Sequence, residues 1–517
     1  MPQPASVPDR SRVVVIGGGL AGLASASILA RRGLQVTLLE SRPRLGGRAS
    51  SIIDRETGQV IDNCQHVTMG CCTSFRHFCE ITGCSDLFKT QRTLHFVAPA
   101  AVSRPSRIVP FRGHPLPAPA HLALSLARMP WFNFAEKRAI ARGLRMLSRD
   151  RQSESDDSAE SFAEWLTRAG QSEAVQQRFW HTVLVSALSE TLDRVSVWHA
   201  RKVFVDGFLS NRRGWEVSIP TVPLGEIYDG RIARSLTQAG VNIRTGTGIT
   251  RILMQSGRVT SVELHDGSLV TGDEFVLSVP HWICRSLLPA DFPCRLPAAA
   301  GERERDSGQS VDPHTGSVGL SLQGSLGHLI SQIETAPIAS AHLWFDQPLT
   351  DLPHAVLLDR TSQWFFNHSH RTVTQDDHAR QPSVLPAARF YCQVVISAAD
   401  HLSSCSESDI LNTVETELKA IWPQSRQSTR LHGRVLTEHR AVFAPLPGVN
   451  AFRPVQQSAV QNLQLAGDWT QTGWPSTMEG AVRSGFLAAR NILVRRGGRL
   501  ELPSPLPSSL LFRLLFS

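Results

Sequence analysis

The chain has 517 residues but no run of about 18 consecutive apolar ones, so no helix is expected to span a membrane. Its opening, MPQPASVPDRSRVVVIGGG, lacks the apolar middle of a secretory signal, and the expectation is a cytoplasmic enzyme. Thiols stay reduced in that compartment, which argues against disulfides. Among the nine cysteines no two are spaced C-x2-C. The densest group, Cys64, Cys71, Cys72, Cys79 and Cys84, has the spacing C-x6-C-C-x6-C-x4-C, which matches no usual zinc pair. Cys71, Cys72, Cys79 and Cys84 are read as small apolar fillers. The net charge of +8 is spread along the chain with no dense basic run interleaved with aromatics, so nucleic acid is not an expected partner. Tyrosine is nearly missing, with only Tyr228 and Tyr391.

What is present begins at Arg12. RVVVIG is a β-branched run of buried-strand type, LAGLASASILARRG a small-residue helix stopped at Gly33, and LQVTLLE a second strand. Together they predict one βαβ unit. Proline breaks (SRPSRIVP, HPLPAPA) then introduce helical stretches at HLALSLARM, AEKRAIARGLRML, FAEWLTRAG and VQQRFWHTVLVSALS. Strand-and-turn texture returns near residue 215, with a hairpin signal at His265-Asp266-Gly267. PIASAHLWF, HAVLLD, QWFFN and RFYCQVVIS read as strands of a second sheet, and ESDILNTVETELKAIWP as an amphipathic helix. Residues 298–327, rich in Gly, Ser and charge, read as an inserted flexible loop.

These textures divide the chain. A cofactor-binding domain comes in three parts, 1–98, 215–290 and 456–497. A mainly helical substrate or lid region covers 99–214, a flexible insertion 291–330, the sheet of a substrate domain 331–455, and an apolar tail 498–517. The tail, ending in LPSPLPSSLLFRLLFS, is too short to span a bilayer; it either lies on a membrane surface or packs on its own domain.

The first turn is Gly17-Gly18-Gly19-Leu20-Ala21-Gly22, a G-x-G-x-x-G between strand and helix. Its glycines permit the tight turn, the approach of backbone to a pyrophosphate, and close helix–strand packing. The helix N-terminus offers N–H groups to phosphates. Glu40 ends the next strand eighteen residues after Gly22, where a carboxylate can accept both ribose hydroxyls of an adenosine. Gly46-Gly47-Arg48 brings positive charge toward a diphosphate. Near the far end LQLAGDWT has the form of a second flavin contact, with Gly467-Asp468 facing ribityl and phosphate oxygens. A helix from Met478-Glu479-Gly480 would turn its N-terminus toward the flavin ring. These segments point to FAD rather than NAD.

The pattern VVVIGGGLAGLASASILARRGLQVTLLESRPRLGGR resembles the flavin-dependent amine oxidase and phytoene desaturase superfamily. A finer resemblance is to its squalene-associated branch, the hydroxysqualene dehydroxylases of hopanoid and squalene synthesis. It is carried by DNCQHVTMG, SFAEWLTRAGQSEAVQQRFWHTVLVSALSETLDRVS, PIASAHLWFD, QWFFN, TEHRAVFAPLPGVNAFRP and AGDWTQTGWPSTMEGAVRSG. The resemblance implies an α/β fold: a Rossmann-type FAD-binding domain with a discontinuous substrate domain of mixed sheet and helices. It adds Arg42 and Ile249 to the FAD contacts. The FAD is expected to be non-covalent, since the C-terminal flavin segment has no cysteine. Paired tyrosines of the amine oxidase kind are not available, which disfavours that activity.

The reaction implied is reductive dehydroxylation of a C30 isoprenoid, hydroxysqualene to squalene. Transient contact with the upstream enzymes of that pathway and peripheral membrane contact are implied as well. Such chemistry needs a proton for the departing hydroxyl, a hydride from flavin, and a dry apolar pocket. Trp165, Phe179, Trp180, Trp344, Phe345, Trp364, Phe365 and Phe366 are candidates to line it, with ordinary core packing as the alternative. His66 is the first candidate acid and Asp62 the second; a histidine that merely hydrogen-bonds backbone or flavin is the competing reading. Glu438, His439 and Arg440 form a third group. Three places leave the branch pattern: Cys64 stands where glycine is expected, Cys71-Cys72 where an aromatic is, and Thr182 and Ser189 where proline and asparagine are. Two other functions remain open, a carotenoid desaturase running hydride in the opposite direction and a non-catalytic FAD-bearing isoprenoid carrier.

Overall fold

Val13, Val14, Val15 and Ile16 are all buried, as a strand covered on both faces requires. In the computed structural model, which describes residues 11–99, 106–150, 159–297, 320–369 and 388–516, this strand (Arg12–Ile16) lies at the centre of a five-stranded parallel sheet. The order is Asn242–Arg244, Gln35–Leu39, Arg12–Ile16, Glu274–Leu277, Leu463–Leu465. The sheet is thus assembled from three distant parts of the chain. Helix Leu20–Arg31 packs against the C-terminal helix Met478–Arg495. The approach is so close that a Cβ on Gly485 would sit 2.2 Å from the Ala21 carbonyl oxygen. The expected hairpin is present: Gly267 (φ +80°) turns strand Arg258–Leu264 into Leu269–Thr271, with Ile249–Gln255 as third strand.

A second sheet has seven strands, in the order Arg430–Phe443, Thr335–Phe345, Phe390–Ser397, Trp364–Asn367, His354–Leu357, Thr93–Val97, Ile108–Arg112. One face packs on the amphipathic helix Glu407–Ile421, whose N-terminus is closed by a Ser406–Asp409 capping box. Two strands differ from the sequence division. Thr93–Val97 pairs with this sheet, not with the cofactor domain assigned to 1–98. Ile108–Arg112 is a strand although it lies among prolines in a region read as helical. It is the edge strand, so Pro110, opposite His95, does not interrupt the sheet on both sides.

The interval 291–330 is not a plain loop either. Pro293–Pro297 pairs antiparallel with Leu320–Ser325, and helix Leu326–Ser331 follows; the segment between, 298–319, is outside the described residues. The helical region includes Phe134–Arg149, capped by Asn133, and a run from Glu173 to Leu188 whose middle, Gln176–His181, is π-helical. The tail ends in a helix, Leu510–Phe516, and Phe512 is buried against Val205 and Leu209.

Candidate functional site

The cofactor cradle is made mostly of backbone. Gly17 (φ +105°) makes the turn, and a Cβ there would meet the Ser278 carbonyl oxygen at 2.7 Å. A Cβ on Gly22 would lie 1.9 Å from the Gly17 oxygen, which enforces the third glycine. A Cβ on Gly19, by contrast, would meet nothing within 4 Å. Gly19 is also the N-cap of helix Leu20–Arg31, and no side chain caps that end. Open space beside an uncapped helix start, led by Leu20 and Ala21, suits a pyrophosphate.

Glu40 is buried beneath this turn. One oxygen accepts the Gly18 N–H at 2.7 Å and the other the Arg42 N–H at 2.7 Å. Gly46 lies alongside Gly19, its N–H donating to the Gly18 carbonyl at 2.9 Å. The Arg42 carbonyl accepts from Gly246 and the Glu40 carbonyl from Thr247, which brings the start of strand Ile249–Gln255 to the same edge. After Gly47, Arg48 reaches across the chain to Asp468 at 2.5 Å and to the Ala441 carbonyl at 2.7 Å. Burial raises the Asp468 carboxyl, but the Arg48 guanidinium and the Ser476 hydroxyl outweigh it, so the group is held ionised below its usual range. Gly467 (φ +146°) and Met478 complete the set, the latter with its sulfur against the Tyr228 hydroxyl. Hydrogen bonds thus join Gly18, Glu40, Arg42 and Gly46, and couple Arg48 to Asp468.

Sequence reading did not find Arg453, which is fully buried. It donates to the carbonyls of Asp468, Thr470 and Trp474 and to Asn450 Oδ1, and so fixes the loop that carries Asp468. Its only signal is an arginine in the otherwise apolar and turn-rich stretch NAFRP.

Beside the cradle lies an apolar cavity of about 510 Å³, a size usual for small-molecule sites. Of the eight aromatics proposed for a tunnel, Phe179, Trp364 and Phe366 line it. Trp165, Trp180, Phe345 and Phe365 belong to the packed cores, and Trp344 stacks on Tyr391 at 4.6 Å. Alternation decides the sheet residues: Trp364 and Phe366 face the cavity while Phe365 faces Trp422 on the other side. The sequence reading missed Phe96, Phe111, Trp131, Phe204, Phe208, Trp215 and Trp474. Two π-helical turns, Gln176–His181 and Val205–Leu209, supply Phe179, Gly207, Phe208 and Leu209; the extra residue in such a turn re-aims side chains.

The segment Asp62–Met69 passes between cradle and cavity. Asp62 is fully buried and Oδ1 accepts from the Ser51 hydroxyl at 2.7 Å and the Leu224 N–H at 2.8 Å. It ties two loops together and does not line the cavity. His66 Nδ1 lies 3.0 Å from the Cys64 carbonyl, so it carries the proton and Nε2 is left as an acceptor. Burial, the largest influence, lowers the imidazole's pKa and favours the neutral ring. Its flanking residues Gln65 and Val67 line the cavity; His66 does not. The Cys64 side chain packs against Phe366 and Val395, and burial pushes its thiol up to about 12, an inert filler packed on the seven-stranded sheet. Cys71 and Cys72 do line the cavity, whereas Cys79 and Cys84 are buried in the core under the first helix. Ser189 adopts a left-handed conformation (φ +56°), which explains why asparagine suits that position. Glu438, His439 and Arg440 are on the outer strand Arg430–Phe443, with Arg440 over the Trp282 ring, away from the cavity lining.

Charged groups reach the cavity at three places. Arg178 is paired with Asp359 at 2.8 Å. Glu479, raised by burial, accepts the Ser74 and Phe75 N–H groups at 3.0 and 2.8 Å and caps helix Thr73–Thr82. Lys202 Nζ sits 2.6 Å from Asp206 and 4.6 Å from the centre of the Trp474 ring, at the end of the cavity formed by the loop before Met478.

A glycine-turn cradle for a dinucleotide, joined to a long apolar cavity at the N-terminus of helix Met478–Arg495, defines an FAD-dependent oxidoreductase. The family model described as flavin containing amine oxidoreductase matches residues 20–493, and the chain belongs to that family. It is 26% identical to the 15-cis-phytoene desaturase of Solanum lycopersicum, over 93% of this chain and 77% of that one. It is 23% identical to the hydroxysqualene dehydroxylase of Zymomonas mobilis, over 92% of this chain and 97% of that one. Among solved structures, an oxidoreductase from Methanosarcina mazei has the same fold, with a TM-score of 0.65 at 17% identity, covering 92% and 98% of the two chains.

Proposed function

We propose that the protein is a reductive dehydroxylase of a C30 isoprenoid alcohol, converting hydroxysqualene to squalene. Reduced FAD, held by the Gly17–Gly22 turn, Glu40 and Asp468, would supply the hydride for the carbon that loses its hydroxyl. The balance is alcohol plus hydride plus one proton giving hydrocarbon plus water. The chain's own residues do the rest. Lys202 donates a hydrogen bond and then a proton from Nζ to the hydroxyl, so that it leaves as water, and Asp206 orients the ammonium. Trp215, Phe208 and Phe366 present ring faces and edges to an allylic cation and exclude the water that would recapture it.

The observation that carries this reading is the ammonium of Lys202 over Trp474 in a cavity otherwise lined mainly by apolar side chains. A desaturase withdraws hydride from a hydrocarbon and has no hydroxyl to protonate, so it has no use for such a donor. The carotenoid desaturase reading is supported by the 26% identity to a phytoene desaturase and by 23% identity to a zeta-carotene desaturase. Anaerobic mixing separates the two. Reduced protein should be reoxidised by hydroxysqualene, and oxidised protein should keep its flavin spectrum with phytoene. Reduction of the flavin by phytoene would establish the opposite direction.

A further inference from the structure

A second cleft, of about 510 Å³, shares no lining residue with the apolar cavity. It opens between helix His281–Leu287, the end of helix Leu326–Ser331, the start of strand Thr335–Phe345, and strand Arg430–Phe443. Part of its wall is apolar: Ile330 and Ile333 are buried, and Trp282 is half-buried. The rest carries two exposed arginines, Arg285 and Arg440. The Arg440 guanidinium sits 5.3 Å from the centre of the Trp282 ring.

The charge of this cleft is not balanced from within. Its one carboxylate, Glu334, is taken by Arg194 at 2.8 Å. Among the described residues neither Arg285 nor Arg440 has a carboxylate partner for its side chain. His281 adds no charge at neutral pH: burial, the largest influence, lowers it to about 4, and its Nε2 lies 3.0 Å from the Ile333 carbonyl. Two guanidiniums facing one concave site repel each other unless an anion lies between them. A phosphate suits them better than a carboxylate, because its three oxygens and double charge give each guanidinium a paired contact. The apolar wall beside them has room for an organic group, and Trp282 offers it a flat face.

We propose that this cleft binds a small organic phosphate, with the phosphate between Arg285 and Arg440 and the organic part along Trp282, Ile330 and Ile333. The site reaches the cofactor cradle by two short routes. Ala441, the residue after Arg440, gives its carbonyl to Arg48, the partner of Asp468. The His281 ring lies 6.4 Å from that of Trp469, the residue after Asp468. A ligand that moves Arg440 or helix His281–Leu287 therefore acts on the loop that carries Asp468, and by linkage the bound cofactor changes that ligand's affinity by the same factor. Neither the apolar cavity nor Lys202 takes part, so the site stands or falls apart from the proposed reaction.

The test is calorimetric titration of the flavin-loaded full chain, in buffer free of phosphate, with phenyl phosphate, inorganic phosphate and benzoate. Phenyl phosphate should bind one to one with the flavin retained, about tenfold more tightly than either of the others. Arg285→Gln and Arg440→Gln replace exposed side chains. Each should weaken phenyl phosphate by about tenfold or more while the flavin content stays unchanged. Trp282→Leu should weaken phenyl phosphate and leave inorganic phosphate as it was. Arg258→Gln, an exposed arginine held by Gln461 elsewhere, should change nothing. No binding by the wild type, arginine variants that bind like it, benzoate or inorganic phosphate bound as tightly as phenyl phosphate, or phenyl phosphate that enters only by displacing the flavin would each overturn the inference.

Discussion

The cofactor cradle and the apolar cavity share the segment from Trp474 to Glu479, yet they are built by different means. The cradle is backbone: glycines at fixed spacing, carbonyl-to-amide hydrogen bonds, and two carboxylates, Glu40 and Asp468, each fixed by short contacts. The cavity is side chains drawn from segments as distant as Gln65 and Phe516. A backbone site tolerates almost no change at its glycines. A side-chain site tolerates changes of shape but depends on its few charges.

The largest effect should come from attacking the first kind. Gly22→Val places two methyl groups where even a Cβ is 1.9 Å from the Gly17 oxygen. It should abolish flavin binding and most soluble expression, read from the flavin absorbance of the purified protein. If Gly22→Val retains FAD, the contrast between the two sites fails.

Next is the charge in the cavity. Lys202→Met keeps the length and loses the donor. Turnover of hydroxysqualene should fall about a hundredfold or more, with flavin content unchanged and the pH profile altered. His66→Ala should cost less than about tenfold, because the neutral ring has no proton to give at Nε2. The reverse ranking would restore His66 as the acid.

The third effect concerns stability against pH. Burial lowers His281 and His354 to about 4 from 6.5. Between those values the unfolded chain binds protons that the folded one refuses, so stability is full above about pH 6.5 and is lost as pH falls toward 4. Each histidine contributes up to roughly 3 kcal/mol over that interval. His281→Asn should flatten the dependence of the thermal midpoint on pH. The smallest effect is Cys64→Ala, which removes one buried sulfur packed on the seven-stranded sheet and should cost about 1 kcal/mol in chemical denaturation.

The same contrast governs what the sequence disclosed. Gly17 to Gly22, Glu40, Arg48 and Asp468 were legible because a dinucleotide imposes spacing on the chain. The parallel sheet was legible because Val13 to Ile16 are apolar without alternation. Strand Ile108–Arg112 was hidden by Pro110, whose tolerance depends on an edge position that only the assembled sheet defines. Trp165 and Trp180 looked like tunnel residues as much as Trp364 did. Which of them faces the cavity is set by π-helical turns and by the strand alternation, neither of which leaves a mark in composition. Lys202 is one lysine on an ordinary helix until Trp474, 272 positions away, is folded over it.

The most direct test of the account is a single-turnover incubation of the purified protein, chemically reduced and free of oxygen, with hydroxysqualene, followed by mass spectrometry of the extracted lipid. The account predicts squalene in an amount equal to the reduced flavin, and about a hundredfold slower appearance with Lys202→Met. Fully loaded, reduced protein that yields no squalene would contradict it.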